Sequence, residues 1–119
     1  MTTLHRPAAL VLAVIATAAA AKDQPIRIAI APGKMAEVCM PLAEGDTLRW
    51  RFKAGAALDF NLHHHVDKEV FMPVDRKAVK ADNGELRIDR RNEWCLMWTA
   101  PAGAKPVTVN GTWSMQPAR

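Results

Sequence analysis

Two cysteines are all that the 119 residues contain, Cys39 and Cys95, and nothing resembling Cys-x-x-Cys is present. That spacing excludes a vicinal redox motif. No histidine follows Cys95, so the thiolate-and-imidazole ligand set of a blue-copper centre is excluded as well. Serine and threonine are missing from the stretch around His63, His64 and His65, and Ser114 has no catalytic signature around it. A hydrolase needs a nucleophile beside an oriented base, so the expectation is a protein that is not an enzyme. Beyond residue 21 no stretch of ten or more residues follows a 3.6 period, and residues 76–81 allow one helical turn at most. There is no linker, repeat or low-complexity tract to divide the chain.

A long apolar run occurs once, at the beginning. His5 and Arg6 precede the apolar residues 7–16, and Ala19, Ala20 and Ala21 supply the small side chains of a peptidase site. Residues 1–21 therefore read as a cleaved secretory signal of bacterial type, with an uncleaved anchor as the alternative. No second run of about 18 apolar residues follows, so no transmembrane segment is expected after cleavage. The expected address is the periplasm or the exterior. Residues 22–119 are then a single small domain, a size at which a staple helps stability. An oxidising compartment makes a Cys39–Cys95 disulfide the default, worth roughly 4 kcal/mol in the chain-entropy model. A pair of thiolate ligands or a redox couple is the alternative role for the two sulfurs.

What is present is alternation. Ile26, Ile28 and Ile30 alternate with Arg27 and Ala29, and Leu48, Trp50 and Phe52 alternate with Arg49, Arg51 and Lys53. The same period of two runs through residues 58–65, 85–89 and 107–115. Residues 37–43 and 93–99 are apolar on both faces and each holds one cysteine, which predicts interior strands joined by the disulfide at the best-buried part of the fold. Pro41 and Pro73 belong at a bulge or a free edge. Asp82-Asn83-Gly84 has the composition of a hairpin turn, and Arg90-Arg91-Asn92 marks a reversal. The prediction is an all-β, antiparallel β-sandwich of about seven to eight strands with one disulfide. Met40, Met97 and Met115, with Trp50, Trp94, Trp98 and Trp113, are assigned to its core.

The order of Cys39, the strand Leu48-Arg49-Trp50-Arg51-Phe52, the strand Leu58-Asp59-Phe60-Asn61-Leu62 and the segment Glu93-Trp94-Cys95-Leu96-Met97-Trp98 resembles the GOLD β-sandwich domain. That domain occurs in the lumenal part of the p24 cargo receptors, which also carry an early and a late cysteine. The resemblance covers most of residues 37–113. It implies a sandwich used for binding, an interaction module for an envelope protein, with no catalytic residues to carry over. The three histidines are an addition that the family does not require.

Those histidines are the sharpest chemical signal. On a strand His63 and His65 project together with Asp59 and Asn61, while His64 follows Leu58, Phe60 and Leu62 inward. Two imidazoles at i and i+2 reach one ion, and a reversal near Asp67-Lys68 brings back Glu69 or Met72 as third ligand. A thioether beside imidazoles favours copper over zinc, Cu(I) especially. The competing reading leaves His63 and His65 solvated and His64 hydrogen-bonded near the core.

The chain is formally +4. Arg49, Arg51 and Lys53 share one strand face, a candidate anion-binding face that would repel a cation beside it unless Asp59 pairs with it. Nucleic acid is not an expected partner, because the compartment is wrong and no aromatic platform separates from the core.

Overall fold

The structure, a computed structural model, describes residues 7–8 and 21–119. The predicted signal segment therefore lies almost wholly outside the described residues. Six strands form among the described residues: β1 (Gln24–Ile30), β2 (Met35–Leu42), β3 (Thr47–Val66), β4 (Glu69–Arg87), β5 (Asn92–Thr99) and β6 (Val107–Gln116). They make one sheet in the order β1-β6-β3-β5-β2, with β4 along the opposite edge of β3, and every pairing is antiparallel. The sheet curls into a half-barrel. No helix among the described residues is long and apolar enough to cross a membrane.

β3 organises this arrangement because its small residues let it bend. From Thr47 to Ala54 it pairs with β6, and from Asp59 to His64 it pairs with β5. Between the two lies Ala54-Gly55-Ala56-Ala57, where the pairing with β4 shifts register between Lys53 and Leu58. Side chains this small tolerate the curvature that a bulge introduces. The bend brings the two halves of the strand face to face. Phe52 and Phe60 sit 4.8 Å apart by ring centroids, and Trp98 closes on both at 5.7 and 5.6 Å. Leu48, Trp50, Phe52, Leu58, Phe60 and Leu62 are all buried, so the period of two survives the bend and builds one core from both halves.

The expected all-β antiparallel architecture with a disulfide is thus present, but as six strands among the described residues in one curled half-barrel sheet, where a sandwich of seven to eight strands is predicted. Two predicted breaks are absorbed. Residues 48–53 and 58–65 belong to one strand, and Asp82-Asn83-Gly84 lies inside β4, opposite Phe52, Arg51 and Trp50. A Cβ on Gly84 would collide with the Trp50 ring, so this glycine serves packing and not a turn. The Trp50 indole donates from Nε1 to Asp82 Oδ2 at 3.0 Å, which also ties Asp82 to the strand. The reversal at Asp67-Lys68 is a two-residue turn, with Asp67 at φ 55°.

The disulfide is where the prediction needs correcting. Cys39 and Cys95 are bonded, and they are direct cross-strand partners in β2 and β5, with Cα atoms 4.1 Å apart. β2 is an edge strand whose outward residues Glu37, Cys39 and Pro41 are exposed. The bridge therefore lies on the outer face, with Cys39 exposed and Cys95 buried, and it does not join the two best-buried strands. Pro41 and Pro73 do fall on the edge strands β2 and β4, Pro73 beside a register shift.

Candidate functional site

The second half of β3 places the histidines. His63 and His65 lie on its outer face, ring centroids 5.1 Å apart and nearly perpendicular at 83°. His65 is exposed, yet His63 is only 3% accessible, which removes the solvated reading for that ring. Asn61, on the same face, is buried as well.

Two contacts define the state of His63. Asn61 Oδ1 lies 2.7 Å from Nδ1, and a carbonyl oxygen only accepts, so Nδ1 carries the proton. Nε2 is then a bare lone pair, and it stands 3.9 Å from Glu37 Oε1. Burial lowers the His63 pKa below its ordinary value; Glu37 pulls it up, while His65 and His64 push it down further. The ring is therefore neutral near pH 7, the form in which imidazole binds metals.

Glu37 reaches this position from β2 through a row across three strands. His63 is the partner of Cys95, and Cys95 is the partner of Cys39. Glu37, two residues before Cys39, shares that face and is the partner of Met97, which in turn faces Asn61. Met97 thus sits half-buried on the outer face and not in the core assigned to it. Glu37 is absent from the ligands read in the sequence, where its i, i+2 relation to Cys39 indicates only a shared face. Among the described residues, the clusters of three metal-ligating groups are Glu37–His63–Cys95 and Cys39–Glu93–Cys95, each with ligand atoms within 4.8 Å of one another. Both include sulfur that the disulfide holds.

The two predicted third ligands are placed differently. Glu69 is the partner of Val66, one residue past His65, so it points to the opposite face of the sheet. Met72 falls where the register shifts between Leu62 and His64, and it lines a cavity of about 320 Å³ together with His64, Phe71, Leu86 and Trp94. The reversal at Asp67-Lys68 is present, and the bulge after it leaves no mark in the sequence.

His64 points inward as expected. Its ring stacks on Phe71 at 5.4 Å and 19°, and it packs against Trp94 at 4.0 Å. The Asn92 amide is oriented by two bonds, Oδ1 accepting from the Glu93 N–H and Nδ2 donating to the His65 carbonyl. Nδ2 also faces His64 Nδ1 at 3.2 Å, so Nδ1 accepts and the neutral ring carries its proton on Nε2. Burial lowers this pKa too, Arg90 and His65 adding to the effect and Asp89 opposing it.

Arg49, Arg51 and Lys53 share the outer face of the other half of β3, beyond the bend. Arg49 pairs with Glu85 at 2.9 Å, whereas Asp59 is met by Lys77 at 3.8 Å and by the Ala78 N–H at 3.0 Å. Asp59 therefore does not neutralise the row. Arg49 and Arg51 line a shallow polar groove with Asn83, Thr112, Ser114 and Gln116. No family model and no curated protein matches this chain.

Proposed function

We propose that this domain is a non-enzymatic, extracytoplasmic binding protein that takes a divalent transition ion, copper or zinc, between His63 and Glu37, with His65 as a further ligand. The observation that carries this reading is the His63 Nε2 lone pair facing a carboxylate oxygen at 3.9 Å. Two acceptors that face each other are reconciled by a cation between them, and bonds of about 2.0–2.2 Å from nitrogen and oxygen fit that gap. The Asn61 acceptor on Nδ1 is the outer-shell partner that a ligating histidine ordinarily has. Imidazole with carboxylate suits a divalent ion better than Cu(I), and the divalent series places copper above zinc. The described residues hold no free cysteine. The disulfide is compatible with an address outside the cytoplasm.

Titration of the oxidised chain with Cu(II), Zn(II) and Cu(I), beside a His63→Ala/His65→Ala variant and a Glu37→Gln variant, tests the proposal. Saturable one-to-one uptake of a divalent ion, lost in the double variant and weakened by Glu37→Gln, is expected. Equal uptake by all three proteins refutes it.

A second reading is a GOLD-like interaction module for an envelope protein, the facing halves of the bent sheet standing for the two layers of a sandwich. It is favoured by Val70, Phe71 and Met72, which are 50%, 43% and 41% accessible in succession on the edge strand β4. It expects no metal affinity, and it expects a cross-linked partner that a Phe71→Ser chain fails to capture.

A further inference from the structure

We propose that the Cys39–Cys95 disulfide gates the metal site, so that its reduction converts a weak nitrogen-and-oxygen site into a tight, sulfur-rich one. This inference rests on reading His63 and Glu37 as metal ligands, and it assigns the two sulfurs a role beyond stapling.

Both ligand clusters on the outer face converge on the disulfide. Glu37, His63 and Cys95 bring their ligand atoms within 4.8 Å of one another, and so do Cys39, Glu93 and Cys95. In the oxidised chain neither sulfur is a thiolate, so each cluster falls short by the groups at its centre. The 3.5 Å approach of Cys39 Sγ to Glu37 Oε2 is then a contact between a disulfide sulfur and a carboxylate, because that sulfur carries no proton to donate. Reduction frees a thiol at the centre of each cluster. His63, Cys95 and Cys39 already occupy matched positions on three adjacent strands, and Glu37 lies diagonally beside them. Neighbouring strands stand about 4.8 Å apart, so His63 and Cys95 need only a small closing of side chains to share a tetrahedral ion, whereas Cys39, which lies two strands from His63 and outside its cluster, must swing inward once the S–S bond is broken.

Access favours the same conclusion. Cys39 is exposed on an edge strand, so a dithiol can attack its sulfur, whereas Cys95 is covered. The reductant supplies two electrons and two protons, is itself oxidised to a disulfide, and leaves the two thiols of Cys39 and Cys95. Binding of a divalent ion then releases both thiol protons to solvent and forms two metal–sulfur bonds. The product is a Cys2His set completed by Glu37, a donor combination suited to zinc and, through its sulfur, to Cu(I).

The test uses the full chain, oxidised or reduced with a phosphine that leaves no competing thiol, titrated with cobalt(II) and then zinc(II) without oxygen. The reduced chain is expected to show thiolate-to-cobalt charge-transfer absorption and to bind zinc at least roughly tenfold more tightly than the oxidised chain. His63→Ala, reduced, should keep the sulfur absorption with weakened affinity, and reoxidation should release the ion. Reduced protein without the charge-transfer band, or with the same zinc affinity as the oxidised form, overturns the gate. So does a reduced chain that has lost its sheet by circular dichroism even with zinc present. Metal uptake by the oxidised chain is read separately: if it fails while reduced uptake still requires His63, the nitrogen-and-oxygen site is wrong and the sulfur site stands.

Discussion

Asn61 and His63 are joined side chain to side chain at 2.7 Å, two buried residues on the same face of β3. This bond leaves Nε2 unprotonated toward Glu37. Asn61→Ala should therefore lower zinc affinity by roughly 10–100-fold, the usual loss when an outer-shell partner is removed. It should also cost about 1–3 kcal/mol of stability, since the buried Nδ1–H loses its acceptor. Asn61→Asp keeps an acceptor and should keep more of the affinity. Competition titration against a chromophoric chelator measures both variants, and wild-type affinity in Asn61→Ala would contradict the tautomer assigned to His63.

Stability should decline in mild acid. His63 and His64 both have lowered pKa values, chiefly through burial, while in the unfolded chain each titrates near about 6.5. The unfolded state thus binds more protons between the folded and unfolded values. The contribution is complete above about pH 6.5, falls as the pH drops through that window, and levels off below the folded pKa. Urea midpoints taken from pH 7.5 down to 5 should fall accordingly, and the slope should be shallower in His64→Phe. A midpoint that rises with acidification would show that these rings are not held neutral.

Gly84 makes room for Trp50. Replacing it with alanine places a methyl group against the indole, and overpacking of this kind costs about 1–3 kcal/mol. Denaturant titration should show a lower midpoint with an unchanged slope. The paired variant Gly84→Ala/Trp50→Phe should recover part of the loss, and no recovery would place the strain elsewhere.

The bridge closes a loop with a sequence separation of 56, for which chain entropy gives a stabilisation of roughly 4 kcal/mol. Reduction should lower the urea midpoint while the sheet persists, because the β2–β5 pairing and the core beneath it do not depend on sulfur. Near-ultraviolet circular dichroism at low denaturant should retain the tryptophan signal. A collapse of that signal on reduction would show that the bond holds β2 in place.

Alternation made the all-β class and the inward set Leu48, Trp50, Phe52, Leu58, Phe60 and Leu62 readable in the sequence, because burial on a strand imposes a period of two. The number of strands was less readable. A bulge through Ala54 to Ala57 has the composition of a loop, and Asp82-Asn83-Gly84 has that of a turn, although long-range pairing keeps both in strands. Of the site, the outward pairing of His63 with His65 was visible for the same reason. Glu69 lies on the face opposite His65 because a two-residue turn after Val66 fixes its register, and Glu37 was hidden because β2 meets β3 only through β5.

The most direct measurement is the imidazole nitrogen spectrum of the oxidised, isotope-labelled chain before and after one equivalent of zinc. The structure predicts His63 with its proton on Nδ1 in the free protein, and a shift at His63 Nε2 on binding, accompanied by His65 and not by His64. A free His63 protonated on Nε2, or zinc-induced shifts that spare His63, would contradict a metal held between this histidine and Glu37.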